Sequence, residues 1–331
     1  LSEDPYHAGK MAAAYIRGIQ SQGIAACPKH FAANSQELRR MANDSVVDER
    51  TFRELYTTGF EIAVKEGKAK SIMSSYNEVN GIYANENSHM LQEILVDEWG
   101  FDGFVVSDWG GSNDHALGVK NGSHLEMPGT GKSGVHDIVE AVKNGNLTEE
   151  VLDQRLDELL SVIIDTHQAT EEKKGTAFNV EAHHELARKV AEESVVLLKN
   201  EDNILPLRPG TKVTVIGDFA QNPRYQGAGS SLVNPAKQPE FILGEIGSSS
   251  LEMVAFEQGY RRNKKSDEKL LNQAKEAAKK AEVVLIFAGL DEISESEGLD
   301  RTHMNMPQAQ NMLIDEITTV NPNVIVVLSA G

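Results

Sequence analysis

Short apolar runs alternate along the chain with longer stretches whose apolar residues recur every three or four positions. In the first half the runs are GIAAC (23–27), KSIMSSY (70–76), GFVVSD (103–108) and SHLEM (123–127), each too short for a helix. Between them, VDERTFRELYTTGFEIAVKEG (47–67) and ENSHMLQEILVDEWG (86–100) have helical spacing. Each ends in a glycine, Gly67 or Gly100, where a helix C′ residue belongs. The opening LSEDPYHAGKMAAAYIRGIQ reads as a capped amphipathic helix. This βαβα order, with strands apolar on both faces, predicts an α/β fold: a parallel sheet covered by helices, closed as a barrel or open and doubly wound.

Side chains capable of chemistry stand where the runs finish: Lys29 and His30, Tyr76, Asp108, and Glu126 within the fourth run. Strand ends on one face of a (β/α)8 barrel gather such groups. Four strands make half a barrel, with open edges and an uncovered core that call for a completing segment.

The stretch HQATEEKKGTAFNVEAHH (167–184) is polar and lacks a strand pattern, as expected of an interdomain linker leading into a helix. Beyond it, SVVLLKN (194–200), KVTVIGDF (212–219), EVVLIFAGL (282–290) and NVIVVLSAG (323–331) are expected to be strands of an open parallel sheet. SDEKLLNQAKEAAKKA (266–281) supplies one of its helices. The expected organisation is residues 1–165 as the second half of a (β/α)8-type barrel, 166–193 as linker and helix, and 194–331 as a second α/β domain.

Composition narrows the ligand class. Fifty Asp plus Glu against 32 Lys plus Arg give a net charge of −18, which disfavours nucleic acid and anionic membrane surfaces and suits a neutral or cationic small ligand. Cys27 is the sole cysteine, so the chain can form no internal disulfide and no cysteine-based metal cage, and it fits a reducing compartment such as the cytoplasm. Apolar stretches fall short of the ~20 residues of a spanning helix. The chain starts at Leu1 and stops just after an apolar run, as a piece of a longer protein would.

Carboxylates are the candidate chemistry. Asp108 ends an apolar run and precedes Trp109, Gly110 and Gly111; it is either a turn cap or an acid beside an aromatic wall. DEISESEGLDR (291–301) is a second acidic loop directly after a strand, where open α/β sheets place their ligand crevice. Lys29 and His30 with Asn34, Glu37 and Arg40 form a donor cluster suited to gripping hydroxyls. His183 and His184 are adjacent and diverge on a helix, so they make a poor metal pair. QGAGSS (226–231) lacks the lysine and spacing of a phosphate-binding P-loop.

KHFAANSQE, SIMSSYNEVNG, GFVVSDWGG, LEMPG, VVLLKNEDNILPL and SEGLDR occur in the order and spacing of glycoside hydrolase family 3, and the chain resembles the β-glucosidases of that family throughout its length. The resemblance implies a partial (β/α)8 TIM-like barrel followed by a partial αβα sandwich with a mostly parallel sheet. It implies Asp108 as nucleophile and Glu297 as acid/base, with Glu295 as the rival in a crowded acidic loop. It also implies that Lys29, His30, Arg40, Met73, Tyr76 and Trp109 line the sugar subsite, and that Ser230 or Ser231 approaches from the second domain. No metal or cofactor is implied. A retaining glycosidase needs two carboxyl groups roughly 5–5.5 Å apart, one ionised and one protonated. An aspartate near Lys29 and Arg40, and a glutamate among other acids, suit those two states.

The expected activity is release of β-linked glucose from the non-reducing end of small glucosides or oligosaccharides. The alternatives are a β-xylosidase or α-L-arabinofuranosidase of the same family, a non-catalytic sugar-binding or assembly fragment, and, more distantly, nucleotide binding through GAGSS. The expected partners are the glycoside and the missing barrel half and sandwich remainder, from the same or another polypeptide. A homo-oligomer is compatible with the chain.

Overall fold

The computed structural model describes residues 2–262 and 265–330. The chain divides into two compact units, one ending at Ala177 and one beginning at Phe178. Both are α/β with mostly parallel pairing.

The first unit opens with α1 (Pro5–Gln20), capped by Asp4, whose side chain accepts the backbone N–H groups of Tyr6 and His7 at 2.9 and 3.2 Å. Proline at its first turn costs no hydrogen bond there. A helical run follows as α2 (Glu49–Thr51), a π-helical stretch Phe52–Thr57 and α3 (Thr58–Lys65). The Thr57 and Thr58 hydroxyls donate to the Arg53 carbonyl at 3.2 and 2.9 Å, and side-chain bonds of this kind open the regular i→i−4 ladder. A second π-helical stretch covers His89–Glu98. The helical spacing in the sequence marks both places but not this local widening.

Four extended segments lie side by side in parallel. The strands β2 (Ser71–Met73) and β5 (Phe104–Val106) pair in the register Ser71↔Phe104 to Met73↔Val106. Phe31 bridges to Ser74 on one side, and Leu125 bridges to Val106 on the other. The expected strand at 23–27 does not form. Pairing moves downstream to residues 28–31, where Met73 N–H donates to the Pro28 carbonyl at 3.1 Å and Phe31 N–H to the Met73 carbonyl at 2.8 Å. Pro28 has no N–H and can only accept, which holds this edge to a short contact. The fourth run is likewise reduced to a single bridge. Phe31, Ile72, Met90, Leu91, Ile94, Leu95 and Val105 are almost fully buried behind this arc.

A small sheet not among the expected strands is formed by β1 (Asp44–Ser45), β3 (Glu78–Val79) and β4 (Ile82–Tyr83). The last two form a hairpin turned by Asn80-Gly81, with φ of 53° and 84°, the positive pair that a two-residue Asn-Gly turn favours. The remaining helices of this unit are α4 (His115–Asn121), α5 (Lys132–Lys143) and α6 (Glu149–Glu172).

The second unit begins with α7 (Val180–Glu193). Its sheet contains β6 (Lys212–Ile216), β7 (Glu252–Glu257), β8 (Val283–Gly289) and β9 (Val324–Ser329), all parallel, in the order β7-β6-β8-β9. Every residue of β8 is buried, as its unbroken apolar run requires. The intervening helices are α8 (Asp218–Gln221), α9 (Ile242–Ser248), α10 (Glu268–Ala278) and α11 (Gln308–Thr318). The run SVVLLKN does not form a strand; Val195, Val196, Leu197 and Leu198 are 64–81% exposed and pair with neither edge of this unit's sheet. β7 is an edge strand of mixed polarity, which hid it from the apolar pattern.

The chain leaves β6 toward the β7 edge and then crosses back to β8 on the other side. This makes the carboxyl ends of β6 and β8 a topological switch point. Gly217 closes β6 at φ +123°, where a Cβ would lie 2.0 Å from the Phe287 carbonyl oxygen, so only glycine fits.

Candidate active site

Asp108 follows the end of β5 and is 7% exposed. Its Oδ1 accepts the Trp109 N–H at 2.8 Å, and its Oδ2 lies 3.3 Å from His30 Nε2. The turn behind it is closed by Gly111 N–H donating to the Asp108 carbonyl at 2.9 Å, and Gly110 N–H donates to the Met127 carbonyl at 3.0 Å. One carboxylate oxygen is thereby held by its own loop and the other faces the 28–31 segment, which lies beyond β2 from β5. Trp109 is 54% exposed, leaving an aromatic face next to the acid.

Tyr76 connects the wall of the site to this turn, since its hydroxyl donates to the Trp109 carbonyl at 3.0 Å. The Arg40 guanidinium lies 5.0 Å from the centre of the Tyr76 ring, and its Nη1 donates to Glu37 at 3.2 Å. His30, Arg40, Tyr76, Asp108 and Trp109 are thus one connected cluster. Lys29 is exposed next to His30, and Met73 is half-buried at the end of β2; chain position alone places these two with the cluster.

In the second unit, Glu297 lies in the loop after β8 and Ser230 in the loop after α8. These are the two loops of the β6/β8 switch point, and they are joined by a parallel bridge between Ala228 and Ser296. Glu297 Oε2 accepts the Ser230 N–H at 2.6 Å and also the Ser230 hydroxyl. Gly229 leaves the room for this: a Cβ there would lie 2.5 Å from Glu297 Cβ. Ser231 turns back to the Ala228 carbonyl at 3.4 Å. A cavity of about 260 Å3 opens beside Gly229, lined in part by Tyr225, Gln226, Leu232 and Glu292.

Glu295 is held differently. Arg224 donates to its Oε2 at 2.6 Å and to its carbonyl at 3.2 Å, Arg301 reaches its Oε1 at 3.4 Å, and Arg224 also bonds the Leu290 carbonyl at 3.0 Å. This carboxylate braces the base of the loop, whereas Glu297 stands exposed at its tip.

Among the described residues no group of three or more His, Cys, Asp or Glu could hold a metal ion, and no helix is long and apolar enough to cross a membrane.

Residues 1–162 match the glycosyl hydrolase family 3 N-terminal domain, and residues 195–331 match the C-terminal domain of the same family. The chain belongs to glycosyl hydrolase family 3. It is 48% identical over its whole length to thermostable β-glucosidase B of Acetivibrio thermocellus, of which it covers 44%. It is 41% identical to an exo-α-(1→6)-L-arabinopyranosidase of Bifidobacterium breve, again over its whole length and 44% of the relative. The crystal structure of a family 3 β-glucosidase from Bifidobacterium adolescentis superposes on 99% of the chain with a TM-score of 0.93 at 40% identity, the chain covering 48% of it. The chain therefore spans about half the length of these family 3 relatives.

Sequence reasoning missed Glu86, whose buried carboxyl holds the far end of the Asp108 loop through the Asn113 and Asp114 N–H groups. A lone glutamate at the start of a helical pattern gives no hint of that contact. His115 was missed as well. Burial lowers its proton affinity, but Glu126 at 2.9 Å and Asp137 at 3.1 Å outweigh burial and leave its pKa raised.

Proposed function

We propose that this chain is the catalytic portion of a retaining exo-β-glucosidase. The four adjacent parallel segments belong to a (β/α)8-type barrel, the second unit belongs to an αβα sandwich, and the remainder of each comes from the same or a partner polypeptide. The observation that carries the reading is Asp108: a buried carboxylate at a strand end, oriented through both oxygens and flanked by an exposed tryptophan.

In the first step Asp108 attacks the anomeric carbon while Glu297 gives its proton to the glycosidic oxygen, and the bond to the leaving alcohol breaks. In the second, Glu297 takes a proton from water, the water oxygen bonds to the anomeric carbon, and the ester to Asp108 breaks. Two inversions give net retention. Trp109 offers a face for the sugar ring, and the donors of the His30–Arg40 segment suit its hydroxyls. The cavity beside Gly229 suits the leaving group, because whatever lies beyond the glycosidic oxygen lies on the side of the group that protonates it.

A second reading has its own support. The 41% identity to an α-L-arabinopyranosidase extends over the whole chain, and that sugar is a pyranose without the C6 hydroxymethyl group. Comparing kcat/KM on aryl β-D-glucoside, β-D-xyloside and α-L-arabinopyranoside with the full-length protein separates the two. The glucoside is expected to lead; a preference for either pentoside replaces that substrate assignment. Proton NMR of the first-formed sugar should show the β anomer, and an initial α anomer would exclude double displacement.

A further inference from the structure

Glu86 ends the turn Ala84–Glu86, is 3% exposed, and takes no part in the chemistry described above. Its Oε1 accepts two backbone N–H groups, from Asn113 at 2.8 Å and Asp114 at 3.2 Å. These amides close the loop that opens at Asp108. The near end of the loop is fastened by the Gly111–Asp108 and Gly110–Met127 backbone bonds, and the far end by Glu86. The same turn is itself tied down. Asn121 Nδ2 donates to the Glu86 carbonyl at 2.6 Å, and Asn85 Oδ1 accepts from Ser74 at 2.8 Å and Ser123 at 3.0 Å.

Helix capping does not account for Glu86. Asp114 caps α4 with its own side chain, which accepts the Leu117 N–H at 2.9 Å. The carboxyl is also costly to place here: burial pushes its pKa up against the two amides that pull it down, and Oε2 is buried without a hydrogen-bond partner. A group held at that cost, with its Oε1 on two amides at the far end of the loop, acts on the position of the loop.

We propose that Glu86 is a positioning residue for the nucleophile, anchoring the 108–114 loop so that Asp108 and Trp109 keep their place against the sugar. This rests on Asp108 being the nucleophile. A displacement of about 1 Å at a reacting group costs on the order of 10²-fold in rate, which sets the expected size of the effect.

The test is Glu86→Ala, Glu86→Gln and Glu86→Asp in the full-length protein, with kcat and KM on an aryl β-glucoside, melting temperature, and the rate and site of labelling by a 2-deoxy-2-fluoro glucoside. Glu86→Ala is expected to lose ~10²-fold in kcat with little change in KM and to label Asp108 correspondingly slowly. Glu86→Gln, which keeps the accepting oxygen, is expected to recover most of that loss. A folded Glu86→Ala with kcat within twofold of the parent, or a Glu86→Gln as slow as Glu86→Ala, overturns the proposal. Where Glu86→Ala does not fold, Glu86→Asp decides: it keeps the charge but its side chain is shorter, so a tenfold drop in kcat supports the proposal and an unchanged kcat defeats it. Parental labelling at another residue sinks the Asp108 assignment and the proposal with it, whereas Asp108 labelled at the parental rate in Glu86→Ala sinks the proposal alone.

Discussion

Asp108 and Glu297 are both carboxylates in loops that follow parallel strands, yet their surroundings are opposite. Asp108 is buried, with one oxygen on a backbone N–H and the other toward His30. Glu297 is exposed, and its Oε2 accepts the Ser230 N–H from a neighbouring loop. A nucleophile works through fixed aim at one carbon, which rewards a rigid anchored turn. An acid/base must give up a proton and take one back, which tolerates an open position reached by leaving group and water. The contrast predicts that damage to the first loop is severe and not rescuable, and that damage to the second depends on the leaving group.

The largest effect is expected for Asp108→Asn in the full-length protein, a loss of kcat/KM on the order of 10⁴-fold or more for every aryl glucoside. Residual activity within tenfold of the parent would remove the distinction between the loops. Glu297→Ala should lose ~10²–10⁴-fold on a poor leaving group and much less on an activated one, with azide restoring turnover of the latter. Glu295→Ala should instead leave azide without effect and lower the melting temperature, since it frees Arg224 and Arg301 from their shared carboxylate. If azide rescues Glu295→Ala and not Glu297→Ala, the two roles are exchanged. A smaller loss, roughly tenfold, is expected for Gly229→Ala, whose methyl group would meet the Glu297 side chain at φ +94°.

The smallest effect concerns stability and lies away from both loops. Burial would raise the Glu158 carboxyl, but His124, Gln154 and Arg155 outweigh burial and hold its pKa at about 2, below the usual 4.5. A depressed carboxylate contributes stability that is present above its unfolded pKa and is lost as pH falls through the folded one. The window is therefore about pH 4.5 down to 2. Glu158→Gln should be less stable at pH 7 by roughly 1–2 kcal/mol after allowance for solvent screening. The gap should close as denaturation curves are taken toward pH 2. A gap independent of pH would show that the Arg155 ion pair and the His124 hydrogen bond are not its source.

The two units also differ in how much of them was legible in the sequence. In the second, three of the four strands stand out because β6, β8 and β9 are apolar runs, and the exception, β7, is a half-exposed edge. In the first, the helical patterns around 1–20, 47–67 and 86–100 and the two central strands stand out, but α6 runs into the stretch expected as linker, and the outer two segments pair through single bridges, which residue type does not encode. SVVLLKN misleads for the opposite reason: its composition is that of a strand, and pairing depends on a neighbour that its own sequence does not specify. Among the candidate residues, Asp108, Trp109 and Glu297 were singled out from motif and loop position. The His30 contact, the Ser230 bonds and the Glu86 anchor depend on distances between segments far apart in sequence, which spacing along one chain does not contain.

The central claim is that Asp108 forms the covalent intermediate. The most direct measurement is incubation of the full-length protein with an activated 2-deoxy-2-fluoro-β-glucoside, followed by digestion and peptide sequencing by mass spectrometry. The account predicts one fluoroglucosyl group per chain, on Asp108 within GFVVSDWGG (103–111). A label on any other residue, or full inactivation without a covalent adduct, would contradict it.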